Sequence, residues 1–222
     1  MIRAVIFDVD GVLADSEVIF LKSTSRFLRK NGIEKDFREL AFLVGQSMEK
    51  IAADLLTLDN IKGRYTPEQI RSEIYGAYPD IIGSEGMPKI EGLEEFLAYL
   101  KRRKIHTAVA TSGDVEHMNE MLDGVGLEHE FDIIVTIEKV ARSKPFPDLY
   151  LECAKELNTL GVKKEEILVI EDSPNGINAA KAAGLFTVGL KASLIQQDTS
   201  KADMESASFQ DIMKYIEKEE TI

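Results

Sequence analysis

The run Ala4-Val5-Ile6-Phe7-Asp8-Val9-Asp10-Gly11 joins four apolar residues to two acids and a glycine. Its apolar half is short, continuous and partly β-branched, the pattern of a strand buried on both faces of a parallel sheet. Similar runs recur at 107–110, 133–136, 167–170 and 186–190. Between them apolar residues fall at helical spacing: Leu93, Phe96, Leu97 and Leu100, then Met118, Met121, Leu122 and Val125, then Leu149, Tyr150, Cys153 and Leu157. Ile177, Ala180 and Ala183 form a weaker fourth stripe. Strand alternating with helix predicts an α/β fold built on a parallel sheet. Ligands of such sheets sit beyond the carboxyl ends of the strands, so Asp8 and Asp10 stand where a site is expected.

Residues 15–88 break this rhythm with a long helical pattern and no convincing strand. Helices are expected over 17–30, 37–44, 48–58 and 67–78. Asn31-Gly32 reads as a helix stop, and Thr66-Pro67 as a cap followed by proline at the first helical position. The expected organisation is an α/β core over 1–14 and 89–222, interrupted by a small helical domain over 15–88. Residues 12–16 make the first crossing, and Gly83 and Gly86 loosen the second, so the adjacent linkers read as a hinge.

Composition narrows the function. The 222 residues are 44% apolar and 30% charged, enough for a proper core in a globular protein. Lys and Arg number 27 against 39 Asp and Glu, a net charge of −12 with a pI near 4.8. That balance argues against nucleic acid and an anionic membrane surface as partners, both of which need basic patches. No apolar run is long enough for a transmembrane helix. Asp8 and Asp10 come too early for a secretory signal. The single cysteine, Cys153, permits no intramolecular disulfide, fits a cytoplasmic location and reads as a buried packing residue.

Four polar clusters fall at the ends of expected strands. Asp8 and Asp10 read either as a divalent-metal and nucleophile site or as a solvated turn. An EF-hand reading fails, because a strand precedes the pair and the later ligand positions are apolar. Thr111-Ser112-Gly113 suits an anion at a helix start, or is a plain N-cap. Lys144-Pro145 offers a cation to a phosphoryl group, or lies on the surface. Glu171-Asp172-Ser173 completes a site for a hard cation, or caps a helix. An α/β sheet brings all four to one rim, and independent caps would not be expected to supply a nucleophile, a hydroxyl, a lysine and further acids together.

In chain order, Asp8-Val9-Asp10-Gly11-Val12-Leu13, Thr111-Ser112, Lys144-Pro145 and Glu171-Asp172 resemble the four motifs of the haloacid dehalogenase-like hydrolase superfamily. The likeness is strongest in 171–180 and in Lys144-Pro145-Phe146-Pro147-Asp148, and spans roughly 2–190. It points to the β-phosphoglucomutase and phosphoglycolate phosphatase-like branch. The resemblance implies a Rossmann-like, doubly wound parallel sheet core with an inserted helical cap domain. It implies that Asp8 attacks phosphorus, that Asp10 protonates the leaving alcohol and then activates water, that Thr111 binds a phosphoryl oxygen and that Lys144 offsets charge. Mg²⁺ is implied on Asp8, the Asp10 carbonyl and Asp172, with Glu171 as a further ligand or its supporting partner. Gly11, Ser112 and Gly113 are implied phosphate contacts, and Gly45, Gln46 and Ser47 of the cap are implied substrate contacts. The second acid, Asp10, argues against true dehalogenation, whose leaving group needs no proton.

The expected activity is Mg²⁺-dependent hydrolysis of a small phosphate monoester, a sugar phosphate or phospho-organic acid, by a monomer. Resemblance to the mutase branch is weaker in the cap, where Met48 takes the place of an arginine, Phe20 that of a histidine, and Asp114 follows the second motif in place of a lysine. Ser16 keeps the hinge hydroxyl and Lys50 is a substitute cation, so a phosphosugar mutase stands as the alternative. A non-catalytic member binding phospholigands or protein is the second alternative, disfavoured by intact Asp8, Asp10, Lys144 and Asp172. No Gly-x-x-x-x-Gly-Lys loop supports a nucleotide triphosphatase. His106, His117 and His129 lack metal-ligand spacing and read as strand-flanking or surface residues. Lys101-Arg102-Arg103-Lys104 and Gly124-Val125-Gly126 read as helix ends, 206–218 as a closing amphipathic helix, and Glu219-Glu220 as a frayed tail.

Overall fold

A computed structural model describes residues 1–219. Of the expected tail, Glu219 closes the last helix and Glu220 lies outside the described residues. The chain divides into two compact units, one made of Met1–Asp15 with the chain from Pro88 onward, the other of Ser16–Met87.

In the first unit the strands are β1 (Ala4–Phe7), β2 (His106–Ala110), β3 (Ile133–Val135), β4 (Ile167–Glu171), β5 (Phe186–Leu190) and β6 (Met204–Ser206). Among the described residues they form one six-stranded sheet, parallel throughout, in the order β3-β2-β1-β4-β5-β6. This is a doubly wound arrangement, with the order reversing direction at β1 and β4. Phe7 is level with Val109 on one side and Ile170 on the other. The residues that follow these three strands therefore emerge at one edge.

The helices of this unit, numbered in chain order after four in the other unit, are α5 (Leu93–Arg103), α6 (Val115–Val125), α7 (Asp148–Thr159), α8 (Pro174–Ala182) and α9 (Phe209–Glu219). Strand side chains alternate between two cores. Ala4, Ile6, Ala108 and Val169 pack with Leu149, Cys153, Leu157 and Ala180 of α7 and α8. On the other face Phe7 meets Phe96 of α5 edge-on at 5.9 Å, and Phe96 stacks on Phe209 of α9 at 5.1 Å. Cys153 is buried as expected, its thiol donating to the Val109 carbonyl at 3.4 Å. Gly126 ends α6 in the left-handed conformation, as read from sequence.

The second unit holds α1 (Ser16–Lys30), a 3-10 helix (Phe37–Leu43), α2 (Met48–Leu55), α3 (Pro67–Gly76) and α4 (Tyr78–Glu85). Thr66 and Gln69 form a capping box at the start of α3. Several expected boundaries move. The helix expected over 37–44 is a 3-10 helix, and that expected over 48–58 stops at Leu55. The one expected over 67–78 is two helices that share Ala77 as a junction. Gly83, expected to loosen a linker, lies inside α4. Residues 12–14 are not slack either: Val12, Leu13 and Ala14 are buried, and all three N–H groups donate to the Val9 carbonyl. Asp15 belongs with the core, since its N–H donates to Pro88 at 2.7 Å and its carboxylate accepts from Ser193 and Leu194. The unit boundary thus falls one residue inside the expected 15–88 at either end. The closing helix starts at Phe209, because Ser206 belongs to β6, whose main chain accepts from Lys191 N–H at 2.8 Å. Among the described residues no helix is long and apolar enough to cross a membrane.

Candidate active site

The carboxyl ends of β1, β2 and β4 and the loop after β3 converge on one buried cluster. Asp8 follows β1 directly, with its N–H donating to Ile170 of β4 at 3.0 Å. Lys144, from the loop after β3, bridges two acids: its Nζ lies 2.6 Å from Asp8 Oδ1 and 2.7 Å from Glu171 Oε1. The Lys144–Pro145 peptide is cis. Glu171 ends β4 with both oxygens engaged. Oε1 also accepts from Tyr150 OH at 2.6 Å, and Oε2 accepts from the Asp172 and Ser173 N–H groups and the Ser173 hydroxyl, each at 3.1 Å. Asp172 accepts from Gln197 Nε2 at 3.3 Å.

Two glycines make this packing possible. Gly11 has φ +74°, and a Cβ there would stand 1.9 Å from Asp172 Oδ2. A Cβ on Gly176, in the first turn of α8, would stand 1.6 Å from Glu171 Oε1. Both carboxylates occupy space that any other residue would fill.

Burial and charge set the electrostatics. Burial, then Glu171, push the Asp8 carboxyl up to about 7 against the pull of Lys144. Burial with Glu171 and Asp8 likewise holds Asp172 well above the carboxylate range. Burial opposes charge on Glu171 too, but Lys144 and its hydrogen-bond donors hold it low. Burial disfavours the Lys144 ammonium, yet Asp8 and Glu171 more than offset this and raise it. With one ammonium against three buried carboxyl groups, Asp8 and Asp172 ionise fully only where further positive charge joins Lys144. Oxygens of Asp8, Glu171 and Asp172 lie within 4.8 Å of one another. Clustered hard oxygens of this kind fit a divalent cation such as Mg²⁺.

The other expected residues are placed as follows. Thr111 is fully buried at the end of β2, and its Oγ1 accepts from Gly113 N–H at 3.0 Å. Ser112 accepts from the Ser143 hydroxyl at 2.7 Å. Asp10 is half-buried beyond β1, with Oδ2 3.3 Å from His117 Nε2. Gly45, Gln46 and Ser47 belong to the helical unit, where Ser47 caps α2 and Gln46 Nε2 donates to the Phe42 carbonyl at 2.7 Å. Asp114, read against a mutase lysine, caps α6.

Three residues at the site were not read from sequence. Tyr150 counted as a core residue in a helical stripe, and its hydroxyl has no signature there. Gln197 lies in an unpatterned loop. His117 read as a surface residue, but its ring reaches Asp10. The hydrogen bond to Asp10 is the main reason its pKa is raised, outweighing partial burial. Each contact joins positions far apart in the chain, so spacing gave no sign of it.

The family model described as haloacid dehalogenase-like hydrolase matches residues 5–190. The chain is 29% identical over 206 residues to validoxylamine A 7'-phosphate phosphatase of Streptomyces hygroscopicus subsp. limoneus, covering 92% of each chain. It is 32% identical over 190 residues to the phosphorylated carbohydrates phosphatase of Thermotoga maritima, covering 82% of each. The crystal structure of a HAD family hydrolase from Deinococcus radiodurans with bound phosphate and sodium superposes with a TM-score of 0.81 at 26% identity, covering 97% of this chain and 95% of the other. The chain belongs to the haloacid dehalogenase-like hydrolase family.

Proposed function

We propose that this hydrolase removes the phosphoryl group of a small phosphorylated sugar or polyol through an aspartyl-phosphate on Asp8. The observation that carries this reading is the buried Asp8–Lys144–Glu171 chain with Asp172 beside it. Lys144 draws its charge close to the Asp8 oxygen that would bond to phosphorus and so stabilises negative charge on the group in transit. Glu171 serves to fix Lys144, since both its oxygens are spent on donors. The Thr111 hydroxyl, accepting from Gly113, keeps its proton to donate to a phosphoryl oxygen. Asp10 gives a proton to the departing alcohol and recovers one from the attacking water.

Asp8, Asp172 and the Asp10 carbonyl would hold Mg²⁺, with Glu171 supporting them. Bound there, Mg²⁺ supplies positive charge to the phosphoryl oxygens and to Asp8. The sugar-phosphate class rests on the relatives, named for a phosphorylated carbohydrate and for validoxylamine A 7'-phosphate. Selection among esters falls in this reading to Gly45, Gln46 and Ser47. The single buried Cys153 supports a reducing, cytoplasmic setting.

The test is phosphate release from mannitol 1-phosphate, fructose 1-phosphate, glucose 6-phosphate, glycerol 3-phosphate, phosphoglycolate and p-nitrophenyl phosphate, with Mg²⁺ and with EDTA. Release that needs Mg²⁺ and vanishes in Asp8→Asn is the expected result. β-Glucose 1-phosphate with a trace of glucose 1,6-bisphosphate is added as a further substrate. Formation of glucose 6-phosphate without net phosphate release would replace the phosphatase with the mutase. Silence of folded protein across the panel would favour a binding-only role.

A further inference from the structure

We propose that His117 is a positioning residue that holds the Asp10 carboxyl group in the orientation from which it exchanges its proton. The inference rests on the role given to Asp10 above. His117 Nε2 lies 3.3 Å from Asp10 Oδ2, a contact made across 107 positions of sequence.

Two features fix the histidine. His117 is the third residue of α6, and its N–H donates to the cap residue Asp114 at 2.8 Å, so its main chain is pinned. Its ring lies against Gly113, where a Cβ would stand 2.5 Å from Cδ2. With alanine there, the ring would have to shift. Asp10 stands beyond the end of β1 with its side chain 38% exposed. Asp8 is held by Lys144, and Glu171 by five donor groups.

The chemistry makes orientation matter. As an Asp8 oxygen bonds to phosphorus and the ester P–O bond breaks, the departing alkoxide takes the proton from Asp10, which becomes a carboxylate. As water attacks phosphorus and the Asp8–phosphorus bond breaks, Asp10 takes a proton from that water and returns to the acid. Such transfers require a heavy-atom separation of about 2.6–3.2 Å, so free rotation of the carboxyl group loses rate. In the tautomer that carries its proton on Nε2, the ring donates to Oδ2 and leaves Oδ1 for the exchanging proton. His117 itself neither gains nor loses a proton in the cycle.

Leaving-group dependence separates this role from a structural one. p-Nitrophenolate leaves without a proton, whereas a sugar alkoxide does not. In single-turnover assays, His117→Ala should slow alcohol release from the fastest sugar phosphate of the panel about ten-fold or more, and leave p-nitrophenol release within about two-fold. His117→Gln, whose amide can still donate, should recover part of the loss. Thermal unfolding checks that each variant is folded, and His117→Gln carries the test if His117→Ala is not. Asp10→Asn is the control and should show the same selectivity more strongly. If Asp10→Asn is selective while the folded His117 variants slow both esters equally, or neither, the positioning role is overturned and the reading of Asp10 stands. If Asp10→Asn shows no such selectivity, the acid role of Asp10 falls, and this inference with it.

Discussion

A carboxyl group buried beside two other carboxylates and one lysine, as Asp8 is, holds its proton up to about pH 7, against an ordinary value of 3.8. A folded-state value above the unfolded one means that the folded chain binds this proton more tightly. Charging Asp8 therefore costs stability, in full above about pH 7, and the cost is relieved as pH falls towards 3.8. Metal-free Asp8→Asn should accordingly be more stable than the parent at about pH 8, with the gap narrowing as pH falls through about 7 and closing only towards 3.8. Thermal unfolding across that range checks it, and a gap that widens on acidification would refute the assignment. Mg²⁺ should reverse the order at the higher pH, because it stabilises the protein that binds it better. Gly176 gives a second residue-scale prediction. Alanine in place of helical glycine ordinarily gains up to about 1 kcal/mol. Here the added Cβ would meet Glu171 Oε1 at 1.6 Å and drive it from Lys144 and Tyr150. Gly176→Ala should therefore lose about 2–4 kcal/mol in denaturant unfolding, the cost of disturbing a buried ion pair, along with most activity. A neutral or stabilising result would show that Glu171 has room the structure does not give it.

The junction of β4 and α8 ties strand, helix and site together through one hydroxyl. Ser173 Oγ accepts from Gly176 N–H at 3.0 Å, capping α8, and donates to Glu171 Oε2 at 3.1 Å. Ser173→Ala removes both bonds and should cost about 1–2 kcal/mol, the worth of an N-cap with some addition for a charged acceptor. Urea unfolding measures this, and a loss confined to a few tenths would mean that the cap is replaceable. Elements of this kind were legible in the sequence, because a buried parallel strand is an unbroken apolar run and its helix starts on a cap residue. β1 and β5 have the bounds that their runs suggested; Asp8, Thr111 and Glu171 stand at strand ends, and Lys144 lies in the loop after β3. β6 was illegible, since Met204-Glu205-Ser206 has no apolar run and owes its strand to pairing with β5. Pro79 and Gly83 obscured α4, although proline is tolerated in a first helical turn. Tyr150, Gln197 and His117 were illegible for another reason: their partners lie 21, 25 and 107 positions away, and only the folded sheet edge assembles them.

For the whole molecule, the break into two units is also a break in what each contributes. Every contact described between site residues, from Asp8 and Lys144 to His117 and Gln197, lies in the unit formed by Met1–Asp15 and the chain from Pro88 onward. The Asp15 N–H donates to the Pro88 carbonyl at 2.7 Å, so the chain leaves and re-enters this unit at neighbouring points. Closing so small a gap costs little loop entropy. A chain that joins Asp15 to Pro88 through about two glycines should therefore fold alone, with a cooperative thermal transition. It should keep the Mg²⁺-induced rise in unfolding temperature, because the proposed ligands remain. It should still hydrolyse p-nitrophenyl phosphate, while the differences in rate among sugar phosphates that the full chain displays should shrink, since Gly45, Gln46 and Ser47 are gone. Calorimetry with and without Mg²⁺ and the same ester panel decide it. A non-cooperative transition would mean that the core depends on the helical unit for its fold. Unchanged ester preferences in a folded core would move substrate selection out of that unit and onto the sheet edge itself.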